Sequence, residues 1–228
     1  MPCALSPARS EDRKRPNEIA TAGSPGQPRR QRGAIQWGVL LTLWGLALAA
    51  GFLGLTAYAS WPGETGPSPS EWPRDCGIPL DDRRDTLVMF LHPLCPCSRA
   101  SVDELGELAA SASDRVAVHI VSLRTRSLER NGLERVDRPG VTSWDDDNGK
   151  LAQRFGVLTS GHVLLYEPGG RLVYSGGITP LRGHRGENPG RSAVLEALGG
   201  GREHRATGPV FGCPLFDPRS TQAEQPCP

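Results

Sequence analysis

The sequence predicts a mixed α/β domain that follows one membrane-spanning helix and a disordered N-terminal tail. Three observations predict this: a long uncharged stretch near the N-terminus, apolar runs alternating with helically spaced apolar residues, and two cysteines directly after the first apolar run. Buried strands typically read as apolar runs of about four to eight residues, whereas the buried face of a helix recurs roughly every three to four residues.

The uncharged stretch lies between Arg32 and Glu64. Residues 34–61 within it are mainly apolar and exceed the roughly 20 residues that a membrane-spanning helix needs. Trp37 lies near one edge and Trp61 at the other, where aromatic residues mark the membrane interface. We therefore predict a transmembrane helix over residues 34–61.

The segment before this helix is basic. Residues 1–33 contain seven Lys/Arg and three acidic residues and are rich in Pro, Ser and Gly, so they should form a disordered cytoplasmic tail. The remainder should then lie in the periplasm or outside the cell. A cleaved signal peptide is the alternative, because Ala57-Tyr58-Ala59 resembles a cleavage site, but the apolar segment is longer than the ~7–15 residues of a signal core.

The exported part is long enough for one domain. Residues 62–74 are rich in Pro and Gly and should form a semi-rigid linker. The 154 residues from Asp75 onward carry 18 Lys/Arg and 20 Asp/Glu, a balance that indicates no nucleic-acid partner. We assign residues 75–216 to the domain and 217–228 to a flexible tail.

Within the domain, strands and helices alternate. The predicted strands cover residues 85–91, 116–121, 163–166 and 172–174. Three helices are predicted: the first starts at residue 98, and the other two cover residues 148–155 and 189–198. The turn Glu167-Pro168-Gly169-Gly170 should join the last two strands as a hairpin. Asp145, Asp146 and Asp147 should cap the second helix, since their spacing is not that of a calcium loop.

This β-α-β-α-β-β-α order, with cysteines after the first strand, resembles the thioredoxin fold. More closely, the chain resembles the membrane-anchored, thioredoxin-like proteins called RedB. The segments that carry this resemblance are 92–100, 144–147, 159–166, 175–179 and 211–215. The resemblance covers about residues 34–216 and implies a thioredoxin-like, three-layer domain with a role in redox or metal handling.

The chain departs from the thioredoxin pattern at two places. Only Pro96 separates Cys95 from Cys97, whereas thioredoxin has two intervening residues. Gly161-His162 stands where thioredoxin carries a cis-proline, so the backbone that receives a partner's extended segment should differ. Fold tolerates such changes more readily than activity does.

The two neighbouring cysteines suit thiol chemistry. Cys95 lies just before the helix that starts at Ser98, where free backbone N–H groups and the helix dipole stabilise a thiolate. We therefore predict that Cys95 is the nucleophile and that Cys97 resolves the mixed disulfide. A bridge between residues two apart closes a small ring through Pro96, and strain makes such a disulfide easier to reduce.

The same cysteines also suit a soft metal. Two thiolates one residue apart can bind Cu(I), with His92, His162 or Cys213 completing the ligand set. His92 has two further interpretations, as a residue that tunes the thiolate or as a strand-end residue bonded to backbone. No other cofactor is predicted.

The remaining cysteines and histidines allow fewer conclusions. Cys213 either forms a structural disulfide with Cys76 or folds back onto Cys95 as a third thiol, and the sequence leaves both alternatives open. Cys3 should lie in the cytoplasm and Cys227 in the tail. His119 lies in an apolar strand and should be a core residue, and the histidines of the Arg/Gly-rich loops, His184 and His204, should be solvated.

The best functional hypothesis is a membrane-tethered thiol-disulfide oxidoreductase that acts on exported or membrane proteins with thiols or disulfides. The lipid bilayer is the other predicted partner. The alternatives are a copper-binding or copper-delivery module with the same cysteines as ligands, and a non-catalytic thioredoxin-like scaffold.

Overall fold

The computed structural model of the chain describes residues 28–124, 139–201 and 206–216. Most of the predicted disordered tail and all of the predicted flexible tail 217–228 lie outside the described residues, as do Cys3, His204 and Cys227.

The first element is a helix, α1, over Pro28–Ser60. Its segment Ile35–Ser60 is long and apolar enough to cross a membrane, a property that a signal sequence near the N-terminus shares, and none of its most apolar part is buried. The helix starts earlier than predicted, so residues 28–33 are helical and do not belong to a disordered tail. Proline is favoured in the first helical turn, because the N–H that it lacks has no helical partner there.

The domain contains six strands within the described residues, joined in one sheet. They are β1 (Asp85–Leu91), β2 (Val116–Arg124), β3 (Val141–Asp147), β4 (His162–Tyr166), β5 (Leu172–Gly176) and β6 (Ala206–Thr207). Their order in the sheet is β3-β2-β1-β4-β5-β6. β1, β2 and β3 are parallel to one another, whereas β4 runs antiparallel to both β1 and β5.

Helices cover both faces of this sheet. They are α2 (Ser98–Ser111), α3 (Lys150–Arg154) and α4 (Pro189–Leu198). Because side chains alternate along a strand, Leu87 and Met89 of β1 pack with α2 and α4, while Val88 and Phe90 pack on the other face with Ala152 of α3. The central order β2-β1-β4-β5 and the helices on both sides form a thioredoxin-like, three-layer domain, which confirms the predicted fold class.

The local predictions differ from the structure mainly around β3. The predicted bounds of β1 and α4 match the structure, but β3 was not predicted. α3 is shorter than the predicted helix 148–155, because Asn148 and Gly149 adopt left-handed backbone angles and the helix starts only at Lys150. Asp146 is buried and accepts hydrogen bonds from the N–H groups of Leu151 and Ala152, as a capping residue does.

The segment predicted as a semi-rigid linker packs against the domain. Gly63 donates a backbone hydrogen bond to Val210, and Trp72 donates one to Gly170. The Trp72 ring lies edge-on to Phe155 and Tyr166, with centroids 5.2 Å and 5.0 Å away. The structure therefore corrects the prediction of a tether: the prolines and glycines of residues 62–74 fit the chain closely onto the sheet.

We expect Asp146→Ala to lower the free energy of unfolding by about 1 kcal/mol, because it leaves two N–H groups of α3 without their acceptor. Asp147→Ala is the matched control, since its side chain is exposed. Chemical denaturation of the purified full chain in detergent measures both effects. Equal losses in the two variants would contradict the capping role.

Candidate functional site

The two neighbouring cysteines lie in the turn between β1 and α2. The N–H of Cys95 donates to the carbonyl of His92 at 3.0 Å, and the N–H of Ser98 donates to the carbonyl of Cys95 at 3.0 Å. Cys97 occupies the N-cap position of α2 and is half-buried, whereas Cys95 is only 5% exposed. Pro96 contributes no N–H to this turn, so Cys97 is the next residue that can donate from the backbone.

A third cysteine reaches the same place from the C-terminal end of the domain. We call residues 208–215 the C-terminal strap. Its backbone pairs with the loop before β4: the N–H of Ser160 donates to the carbonyl of Cys213 at 2.9 Å, and the N–H of Leu215 donates to the carbonyl of Leu158 at 2.8 Å. This pairing places the Sγ of Cys213 2.9 Å from the Sγ of Cys95.

Cys95, Cys97 and Cys213 thus form a three-sulfur cluster, with all three Sγ atoms within 4.8 Å of one another. Of the two alternatives for Cys213, the structure shows the fold-back onto Cys95. The disulfide with Cys76 is not formed: Cys76 is buried and unpaired, and its Sγ lies 3.5 Å from the carbonyl of Ile78.

The three thiols differ in pKa because their surroundings differ. Burial on its own raises the pKa of Cys95, but hydrogen bonds from Cys213, from the Ser98 hydroxyl and from the Cys97 N–H outweigh it, so that pKa lies below its ordinary value. Burial raises the pKa of Cys97, and the negative charge of Cys95 raises it further. Burial, followed by the hydrogen bond to Cys95 and its charge, raises the pKa of Cys213 to about 12. The cluster therefore favours one thiolate, on Cys95.

Ser160 connects the parts of this cluster. Its hydroxyl accepts a hydrogen bond from the N–H of His92 at 2.9 Å and lies 3.0 Å from the hydroxyl of Ser98, while its own N–H holds Cys213. Ser160 is 1% exposed, whereas its partners His92 and Ser98 are partly exposed. Ser160 lies in segment 159–166, which carries the family resemblance, but no role in the site was predicted for it from the sequence.

The next residue, Gly161, requires a glycine. Its φ is +85°, and its N–H donates to the carbonyl of Phe90 at 2.7 Å. A Cβ at this position would lie 2.9 Å from the hydroxyl of Ser101. Gly161 thus gives the loop a close approach to both β1 and α2 that a larger residue prevents.

Neither candidate histidine joins the three sulfurs. Among the described residues, the group of metal-binding side chains within 4.8 Å consists of the three cysteines alone. The Nδ1 of His92 accepts a hydrogen bond from the N–H of Leu94 at 3.2 Å, which agrees with a strand-end residue bonded to backbone, and burial lowers the pKa of His92. His162 is fully buried in β4, and its Nε2 lies 2.9 Å from the hydroxyl of Ser175.

Two other histidines lie away from the cluster. His119 is 6% exposed, and its Nδ1 accepts a hydrogen bond from the indole of Trp144 at 3.1 Å, which confirms a core role. His184 is exposed in the loop before α4, as predicted.

Arg182 is a residue of the site that sequence reasoning missed. Its guanidinium donates to the carbonyl of Gly212, next to Cys213, and to the carbonyl of Trp61 at 3.2 Å. Its positive charge lowers the pKa of both Cys97 and Cys213, against the larger effect of burial. It lies in an Arg/Gly-rich loop whose composition resembles solvated surface, so no local signal distinguishes it.

A buried carboxylate anchors the loop that carries Arg182. Glu104 of α2 is 1% exposed and accepts hydrogen bonds from the N–H of Gly186 at 2.7 Å and from the guanidinium of Arg191 at 2.9 Å. Because the buried Glu104 carboxylate accepts both of these hydrogen bonds, the loop is held against α2. The helix that starts at the cysteines therefore also fixes the position of the arginine beside them.

Comparisons with known proteins give only distant structural similarities. No family model and no curated protein matches the chain. An uncharacterized conserved protein from Geobacillus kaustophilus is 16% identical, with 70% of this chain and 94% of that chain covered and a TM-score of 0.49. A hypothetical protein from Sinorhizobium meliloti 1021 is 19% identical, with 69% and 96% covered and a TM-score of 0.46. The exposed lipoprotein thioredoxin of Streptococcus pneumoniae strain TIGR4 is 21% identical, with 52% and 86% covered and a TM-score of 0.40.

The electrostatics of the cluster predict the order in which the thiols react with pH. In the reduced full chain, alkylation of Cys95 should reach half its maximal rate at a lower pH than alkylation of Cys97 or Cys213. Ser98→Ala should move the Cys95 midpoint to higher pH, because it removes a hydrogen bond to the thiolate. Mass spectrometry of the alkylated peptides resolves the three sites. Equal midpoints for the three thiols would contradict a tuned Cys95.

Proposed function

We propose that this protein is a membrane-tethered thiol-disulfide oxidoreductase of the RedB type, whose domain lies outside the cytoplasm. The observation that carries the proposal is the stabilised thiolate of Cys95 in sulfur contact with a second thiol. A low-pKa thiolate beside another thiol is the arrangement that thiol-disulfide exchange needs.

The exchange proceeds in two balanced steps. The Cys95 thiolate attacks one sulfur of a partner's disulfide, so that a mixed disulfide forms, the partner's bond breaks and one partner thiolate leaves. A second thiol of the cluster, Cys97 in the sequence-based prediction, then loses its proton and attacks Cys95, which releases the other partner thiolate. The partner gains two electrons, and its two thiolates take up the proton lost by the resolving thiol and one proton from water. Run in reverse, the same steps oxidise a partner dithiol.

The partners we propose are exported or membrane proteins with thiols or disulfides. An anchor formed by Ile35–Ser60 would keep the domain at the membrane surface, where such proteins pass.

We expect the reduced full chain, in detergent, to reduce oxidised glutathione and to form an intramolecular disulfide. Cys95→Ser should lower this exchange to the rate of the buffer alone, because it removes the nucleophile. Cys76→Ser is the matched control, since a serine there can keep the hydrogen bond to Ile78. Release of reduced glutathione and loss of free thiols measure the reaction. Unchanged exchange in Cys95→Ser would overturn the proposal.

A copper site is the second candidate, because three sulfur donors lie within 4.8 Å of one another. Soft thiolates select Cu(I), and Cys95, Cys97 and Cys213 would supply the ligands. Tight stoichiometric Cu(I) binding that is lost in Cys213→Ser, together with no exchange by the wild type, would favour this candidate. A chain that neither exchanges nor binds Cu(I) would favour the scaffold.

The proposed topology has its own test. A phosphatase reporter fused after Pro228 should be active, since that enzyme needs an oxidising compartment to fold, and a cytoplasmic reporter at the same place should be inactive. The intact chain should also remain in the membrane fraction. A soluble product that begins near Ser60 would show cleavage and contradict the anchor.

A further inference from the structure

We infer that Cys213, rather than Cys97, is the thiol that resolves the mixed disulfide on Cys95, and that the C-terminal strap delivers it. This inference rests on the proposed function and assigns a residue to its second step. Cys213 lies 118 residues after Cys95 and outside the Cys-Pro-Cys motif.

The Cys213 thiol is already in sulfur contact with Cys95. Its Sγ lies 2.9 Å from that of Cys95, close to the ~2.05 Å of a disulfide bond, so a small movement joins them. Cys97 lies within 4.8 Å of both sulfurs, but its bond to Cys95 would close a small ring through Pro96. Strain in that ring makes the Cys95–Cys97 bond the less stable product.

Backbone hydrogen bonds on both sides of the strap keep Cys213 in place. On one side its backbone pairs with residues 158–160, and Thr159 and Pro214 form an antiparallel bridge. On the other side the N–H of Gly177 donates to the carbonyl of Pro209 at 3.1 Å, and the N–H of Gly63 donates to that of Val210 at 2.8 Å. A thiol held in this way attacks with high effective concentration.

Gly212 lets the strap approach this closely. A Cβ at Gly212 would lie 1.9 Å from the carbonyl oxygen of Ser160, so any larger residue must displace the strap. The Gly212 carbonyl also receives the guanidinium of Arg182. The residue before Cys213 is therefore held by backbone contact and by a charged donor.

The strap also covers the nucleophile. Cys95 is only 5% exposed and touches Cys213, so its sulfur becomes accessible to a partner when the strap moves aside. In the first step the Cys95 thiolate displaces one partner thiolate and forms the mixed disulfide. In the second, the strap returns, Cys213 releases its proton to water, and its sulfur attacks Cys95. The Cys95–Cys213 bond forms as the second partner thiolate leaves.

The test uses the reduced full chain in detergent with oxidised glutathione as the probe disulfide. Samples are quenched with acid, alkylated, digested without reduction and mapped by mass spectrometry. The wild type should yield mainly the Cys95–Cys213 cross-link. Cys97→Ser should close this bond at a rate within about twofold of the wild type, whereas Cys213→Ser should accumulate glutathione on Cys95 and release it at least about tenfold more slowly.

A third variant keeps every thiol. Gly212→Ala should speed the addition of glutathione to Cys95, because the strap is displaced, and should slow closure of the Cys95–Cys213 bond. Unfolding would also expose Cys95 and separate it from Cys213, so the two rates are interpreted only when the circular dichroism spectrum of the variant matches that of the wild type. Gly106→Ala in α2 is the matched control, since a Cβ there meets nothing within 4 Å.

The outcomes separate this inference from the proposed function. A dominant Cys95–Cys97 bond in the wild type, release from Cys95 that depends on Cys97 and not on Cys213, or wild-type rates in Gly212→Ala would overturn the role of the strap and leave the exchange intact. If Cys95 acquires no glutathione in any form of the chain, the proposed function itself fails. Mass-spectrometric mapping of the wild type identifies which disulfide forms on Cys95, even if Cys213→Ser does not fold.

Discussion

The site depends on the hydrogen bonds of one buried serine. The Ser160 hydroxyl holds the start of the cysteine turn through the N–H of His92 and the hydroxyl of Ser98, and its N–H holds the carbonyl of Cys213. The sulfurs of Cys95 and Cys213 therefore meet because the cysteine turn and the C-terminal strap are both hydrogen-bonded to Ser160. Because Gly161 then binds the end of β1, the same loop is fixed to the sheet. Buried networks of this kind specify one arrangement, since each unsatisfied group in them is costly.

Three thiols in one cluster constrain one another. Ionisation of Cys95 raises the pKa of its two neighbours, so a second thiolate forms readily only after the first charge has been consumed. Formation of a mixed disulfide removes that charge. In the proposed exchange, the neighbouring thiol would therefore become a nucleophile only after Cys95 has reacted. Arg182 works in the same direction, because its charge favours the thiolate form of Cys97 and Cys213.

Local sequence patterns predict the central strands and helices. They do not predict the edge strand β3 or the contact that brings Cys213 to Cys95. β1 is buried along its whole length and α2 has a regular apolar face, so periodicity identified both. β3 escaped prediction because it is an edge strand whose side chains are largely exposed or half-buried, so its sequence lacks an apolar run. The packing of residues 62–74 was missed because Pro and Gly give the composition of a linker, whether or not the chain is bound. Cys95 was identifiable from its place before a helix, whereas the position of Cys213 depends on backbone pairing with residues 158–160, which no pattern along the chain encodes.

The geometry of the three-sulfur cluster also bears on the choice between thiol-disulfide exchange and copper binding. A metal needs its thiol ligands deprotonated together, whereas exchange needs one thiolate at a time. In this cluster burial and mutual repulsion oppose a second and third thiolate, and a copper ion must overcome both effects with its own charge. Neither His92 nor His162 belongs to the group whose ligand atoms all lie within 4.8 Å of one another, so neither adds a neutral nitrogen ligand to it. A Cys95–Cys213 disulfide, in contrast, removes charge and consumes two of the three sulfurs, so it also prevents the metal site from forming. These effects favour the proposed exchange over the alternative of metal binding, and a Cys95–Cys213 disulfide would leave only one of the three sulfurs as a ligand.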